Sequence, residues 1–173
     1  MKYISVIIFY LFLSLPVSAN IYVSESTQKA EMLFRQNVSN QDKIIFTHVP
    51  RGLIVSIDEK LFFNENQHKL KGECLPMLNQ IADVLNILDN NFVIEGHTKD
   101  IDSKNSIYNH NWELSLARAN NISKYLMRCK KVSPEKIFIV GFGEFMPFMG
   151  NVSENIGMDN RIDFVILDYQ ASR

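Results

Sequence analysis

Two stretches of helical periodicity, each followed by a short apolar run, constrain this chain more than any other feature. From Leu70 to Asp89 apolar side chains recur at Leu70, Cys74, Met77, Leu78, Ile81, Leu85 and Leu88, the three- and four-residue steps of one helix face. Pro76 falls in the first turn of this helix, where its missing N–H costs little. Phe92 to Glu95, ended by Gly96, reads as a short strand. A second helix is expected from Asn111 to Lys130, capped by Asn111 or Asn109. Its inner stripe is Leu114, Ala117, Ile122, Tyr125, Leu126 and Cys129. A polar turn containing Pro134 leads to a strand at Ile137 to Val140. After a Gly- and Asn-rich stretch, 141–159, the last strand is Arg161 to Leu167. Upstream, Leu53, Val55 and Ile57 alternate with Ile54, Ser56 and Asp58, which is the period of a strand. The order β-α-β-α-β-loop-β predicts an α+β fold, a two-layer sandwich with helices on one face of a mixed sheet.

The 173 residues, 46% of them apolar, suffice for one core and one domain. Residues 1–19 are expected to be a signal peptide. Lys2 gives a positive start, Ile4 to Leu15 is an apolar run too short for the roughly 20 residues of a membrane span, and Val17-Ser18-Ala19 fits the cleavage pattern. The alternative is an uncleaved anchor. No Cys stands at the cleavage point, so a lipid anchor is not indicated. Residues 20–44 read as a linker or lead-in segment, within which Ser26 to Gln36 has the pattern of a short helix with Ala30, Leu33 and Phe34 on one side. Residues 45–173 form the expected domain. Cys74 and Cys129 both fall on apolar stripes and read as separate thiols. A formal charge of −1, from 18 basic and 19 acidic residues, gives no basic face for nucleic acid.

Arg118 stands apart from its surroundings. At about 100° per residue it sits within about 40° of Leu114 and Ile122, so a guanidinium enters the apolar stripe. A desolvated arginine must be paired. Two readings stay open: an internal ion pair, with Asp100 or Asp102 as partner, or a carboxylate-bearing ligand that the planar fork would grip. Gly96-His97-Thr98 ends a strand, and the loop Lys99 to His110 leads into the helix that carries Arg118, whose N-terminus favours an anion. Elsewhere the chemistry is thin. His48, His68, His97 and His110 lack metal-ligand spacing, and no nucleophile elbow, P-loop or HExxH motif is present.

Four motifs occur in order: Glu95-Gly96-His97-Thr98; Asn111-Trp112-Glu113-Leu114-Ser115-Leu116-Ala117-Arg118-Ala119; Gly141-Phe142-Gly143-Glu144 with Pro147 and Asn151; and Arg161-Ile162-Asp163. With Leu61-Phe62-Phe63 ahead of them, they resemble the OmpA/MotB/Pal-type domain over roughly residues 45–167. The NWELS-x-x-RA form is nearest to the MotB branch. The resemblance implies a module that binds the peptide stem of peptidoglycan through diaminopimelate. In that family the Asp ending a GHTD motif holds the ligand's ammonium and the Arg of LS-x-x-RA holds its carboxylate. Here the Arg is Arg118, but Lys99 occupies the Asp position, and the adjacent Asp100 would substitute only through a one-residue shift. The family's Asn-Arg-Arg reads Asp159-Asn160-Arg161.

The candidate binding residues are therefore Arg118, Asp100, Thr98, Lys99, Asn66, Asn111, Leu114 and Arg161. No catalysis, cofactor or metal is implied. The expected partner is peptidoglycan, together with other subunits of an envelope complex at the outer membrane. The expected location is the periplasm, with outer-membrane association as a further option. The rival reading is a degenerate structural subunit of an envelope-spanning, secretion-type complex with weak or no wall binding, and Lys99 favours it. An ion-conducting stator role would need an acidic residue in a membrane helix, and Ile4 to Leu15 contains none.

Overall fold

The computed structural model describes residues 23–99, 101–102, 104, 106–148 and 158–168; the expected signal segment and Asp100 lie outside them. Its elements are α1 (Glu25–Asn37), β1 (Ile44–Val49), β2 (Gly52–Asp58), α2 (Leu75–Ile87), β3 (Phe92–His97), α3 (Asn111–Lys130), β4 (Ile137–Gly143) and β5 (Arg161–Leu167). The strands form one sheet in the order β1-β2-β5-β3-β4. Among the described residues only β3 and β4 pair in parallel; β5 lies antiparallel between β2 and β3. β2 and β3 therefore run the same way and end at the same side of the sheet, which is what builds the site described below.

Strand alternation divides the sheet into an apolar face and a charged one. Leu53, Ile166 and Phe92 lie in one cross-strand row, and Val55, Phe164 and Ile94 in the next. All six are buried against the helices, each contributing about 1.5–3 kcal/mol of transfer free energy. α2 covers this face with Leu78, Ile81 and Leu85, and α3 with Ile122 and Leu126. The predicted α+β sandwich with its mixed sheet is the fold observed. Among the described residues no helix is long and apolar enough to cross a membrane.

The structure departs from the sequence reading in five places. β1 pairs with β2 from Gly52 to Ile57 as an additional edge strand. The lead-in segment forms the expected helix, α1, but instead of standing apart as a linker it buries Ala30 and Phe34 in the common core. α2 starts at Leu75 rather than Leu70, because Leu70 bridges to Phe63 and the Lys71 N–H is bound by the Phe62 carbonyl at 2.9 Å. The chain is thereby held extended where the periodicity alone suggested a first turn. α3 is not capped by either asparagine; the Glu113 carboxylate accepts the N–H groups of Asn109 and His110 at 3.0 and 3.1 Å. Finally, Cys74 is buried but Cys129 is exposed, and both are free thiols. Cys129 lies in the last turn of α3, past Leu126, the last residue of the helix that is buried.

Candidate binding site

Two glycines set the height of α3 above the sheet. Gly96 and Gly141 are paired across β3 and β4. A Cβ on Gly96 would lie 2.2 Å from the Ser115 carbonyl oxygen, and one on Gly141 would lie 2.5 Å from the Leu116 nitrogen. The helix backbone thus rests directly on the strands, where no side chain fits between. Ser115 pins it there, accepting the Gly143 N–H at 3.0 Å and donating to the Trp112 carbonyl at 2.9 Å. One turn further on, Arg118 points to the side of the sheet where β2 and β3 end.

There Arg118 meets a ring of protein acceptors. Its Nη1 donates to the Glu59 carboxylate and to Thr98 Oγ1, the latter at 3.1 Å. Its Nε donates to the Gln67 carbonyl at 2.8 Å and its Nη2 to the Asn64 carbonyl at 3.3 Å. Phe63 lies under the guanidinium, 5.2 Å from ring centre to Cζ. Only 1% of the arginine side chain is exposed, against 10% of Glu59. Burial lowers the Arg118 pKa against the pull of Glu59. Burial likewise pushes the Glu59 carboxyl above its ordinary value, although Arg118 and Thr98 draw it back. Each is a buried charge whose ionised form the other stabilises.

These groups form the floor and wall of a crevice of about 290 Å³. Of the residues expected from sequence, it brings together Arg118, Thr98, Lys99, Asn66 and Leu114. Asn111 supports its rim: the Asn111 side-chain carbonyl accepts the Ile101 N–H at 3.0 Å, as Asn66 accepts that of Asp102 at 3.1 Å. Lys99, with 45% of its side chain exposed, bonds through Nζ to Asp159 Oδ2 at 2.6 Å, and its backbone N–H to the Asn160 side chain at 2.7 Å. The position after Thr98 therefore presents a cation tied to the β5 approach. Glu59 was not foreseen. It follows β2 in a short 3₁₀ turn, Glu59–Leu61, and the only sign of it in the sequence is an acidic pair, Asp58-Glu59, at a strand end.

Arg161 does not join this crevice. It lies on the opposite face of the sheet, where its Nε donates to both oxygens of Asp163 at 3.0–3.1 Å and its Nη groups to the Met158 and Met146 carbonyls. Glu95, His97 and Asp163 are buried beside it. Arg51 grips Glu95 through two bonds of 2.6 and 2.9 Å. His97 Nε2 approaches Asp163 Oδ2 to 3.1 Å without the alignment of a hydrogen bond. The three residues have metal-ligand chemistry, but two arginines already neutralise both carboxylates, so a dication here would add uncompensated buried charge.

Burial raises the Asp163 pKa, but His97, Arg161 and Ser56 outweigh it and hold the group below the ordinary 3.8. Because the folded pKa is the lower one, the ionised Asp163 stabilises the fold above the unfolded value, and this contribution is lost as pH falls through the folded one. Asp163→Asn should therefore be less stable than wild type near neutrality. The gap should narrow as the pH is lowered through and below about 3.8, measured by urea unfolding of both proteins.

A family model described as the OmpA family matches residues 62–160. Motility protein B of Bacillus subtilis (strain 168) is 30% identical over 123 residues, covering 70% of this chain and 47% of that protein. Among solved structures, a MotB-like protein from Desulfovibrio vulgaris superposes with a TM-score of 0.71 at 22% identity, covering 82% of this chain and 91% of its own. The cell wall anchor of the T6SS from Pseudomonas aeruginosa does so with a TM-score of 0.67 at 17% identity, covering 80% and 96%. The two structural likenesses are likenesses of fold. This chain spans about half the length of the curated relatives it matches.

Proposed function

Because the chain belongs to the OmpA family, we propose that it is a non-enzymatic module that holds peptidoglycan through non-covalent contacts and so tethers an envelope protein or complex in the periplasm. The observation that carries the proposal is the Arg118 crevice. A guanidinium set into an apolar helix face borders an open cleft at the motif position that the family resemblance assigns to a carboxylate. The diaminopimelate-bearing stem peptide is the ligand class that fits such a cleft. Two relatives agree in kind, one being a motility protein and the other a cell wall anchor.

One feature favours the second reading, a structural subunit with weak wall binding. Arg118 already donates to four protein acceptors, and Lys99 places a cation where the family has an acid. Sedimentation with purified sacculi separates the two. Wild type is expected to pellet with sacculi and to be released by excess muropeptide. Lys99→Asp is expected to bind more tightly. Removing a cation from near the ligand's ammonium relieves about 1 kcal/mol in water and about 4 at an effective dielectric near 20, which corresponds to about fivefold up to nearly a thousandfold. If wild type does not pellet above the background without sacculi, the structural-subunit reading replaces this one.

A further inference from the structure

We propose that Glu59 is the carboxylate that receives the ligand's ammonium group in the Arg118 crevice. The inference rests on the peptidoglycan reading and assigns the half of a zwitterionic stem residue for which Lys99 has the wrong charge.

A ligand that carries both an ammonium and a carboxylate needs an anion and a cation side by side. At the rim, the cation after Thr98 is Lys99, and its Nζ is already turned to Asp159. In the wall of the crevice, the acid next to Arg118 is Glu59. Glu59 is the more accessible member of that pair, so it is the member an incoming group meets first. Its two bonds fall on a single atom: Arg118 Nη1 and Thr98 Oγ1 both donate to Oε2, the latter at 3.2 Å. Oε1 receives neither donor. An ionised carboxylate offers about four acceptor positions, so Oε1 can take an ammonium without breaking the bonds that hold Arg118.

The position is also fixed by the backbone. The Glu59 N–H is bound to the Asn160 carbonyl at 3.2 Å, and the Phe62 and Phe63 N–H groups bond back to the Glu59 carbonyl at 2.9 Å. The carboxylate therefore stands on a rigid turn rather than on the loop that carries Lys99. Partial burial removes competing water, which strengthens a charge-assisted bond to an ammonium. Burial raises the Glu59 pKa although Arg118 and Thr98 draw it back, so a further cation at Oε1 would favour the ionised form.

The test compares wild type with Glu59→Gln on native sacculi and on sacculi whose free amines have been acetylated with acetic anhydride. Wild type should bind acetylated sacculi about tenfold more weakly or worse. Glu59→Gln, whose amide oxygen still accepts from Arg118, should lose about as much on native sacculi and become indifferent to acetylation. Adding Lys99→Asp to Glu59→Gln should restore both binding and sensitivity to acetylation, a rescue that a mere loss of fold would not permit. Should Glu59→Gln not fold, Glu59→Asp keeps the charge but withdraws it by one methylene, and should bind native sacculi several-fold more weakly. If the folded variant binds like wild type and still responds to acetylation, Glu59 is not the acceptor although wall binding stands. If wild type itself binds neither preparation, the peptidoglycan reading fails, and this inference with it.

Discussion

Replacing Arg118 with methionine is expected to lower the unfolding free energy by about 3–5 kcal/mol, the usual consequence of removing one member of a buried ion pair. The Glu59 carboxylate would be left buried beside an apolar side chain, and the Gln67 and Asn64 carbonyls would each lose a donor. Since small domains are stable by only about 5–15 kcal/mol, much of the margin would go. The loss should come from the orphaned acid more than from missing attraction, because replacing a whole buried pair by apolar residues is often neutral or better. Arg118→Met combined with Glu59→Leu should therefore recover most of the stability, read from urea midpoints at constant slope. A double variant as unstable as the single one would show that the carbonyl bonds of Arg118, not its charge pairing, hold this corner. The consequence for binding assays is direct. Loss of wall binding in an Arg118 variant reports unfolding and recognition together, whereas Glu59→Gln keeps an acceptor in place and separates them.

The second large effect is expected at Gly96. An alanine Cβ there would lie 2.2 Å from the Ser115 carbonyl oxygen and 2.7 Å from its carbon. Both partners are backbone, so no side-chain rotation relieves the clash. β3 is held on both sides, by β5 and by β4, so α3 must rise. Overpacking in a core costs about 1–3 kcal/mol and occasionally more, and Gly96→Ala should fall at or above the top of that range in thermal or urea unfolding. Gly72→Ala is the matched control: a Cβ there meets nothing within 4 Å, and the change should be neutral or slightly stabilising. Because Arg118 rides on α3, Gly96→Ala should also draw the guanidinium away from Thr98, weakening sacculus binding in whatever fraction remains folded. Equal stability of the Gly96 and Gly72 variants would mean that the close approach of helix and strand is not maintained.

Which parts of this were legible in the sequence follows from how local each signal is. The stripes of α2 and α3 show in the spacing of apolar residues because side chains three and four apart share a helix face. The alternation of β2 and the position of Arg118 among apolar neighbours are equally local. The partner of Arg118 is not. Glu59 lies 59 residues away and reaches the arginine only because β2 and β3 run the same way on either side of β5. Asp102 looked like a partner because it is near in sequence. Lys99 was visible as a departure from the family pattern, but its pairing with Asp159 depends on two loops meeting across the sheet. Arg161 kept its place in the motif while its side chain went to the opposite face, since strand neighbours alternate and the motif does not say which face is which. β1 escaped notice because an edge strand, half exposed, needs no strict alternation.

The ring around Arg118 draws on four separate stretches of chain: the turn after β2, the carbonyls at 64 and 67, the end of β3, and α3 itself. None of them can supply the arginine's partners until the sheet has closed around β5 and α3 has docked on its glycines. The crevice thus exists only while all four stretches are in place. A partly folded copy has no half-formed version of it to offer. Attachment through this crevice would be confined to chains that have finished folding, so that the load is carried only by completed molecules.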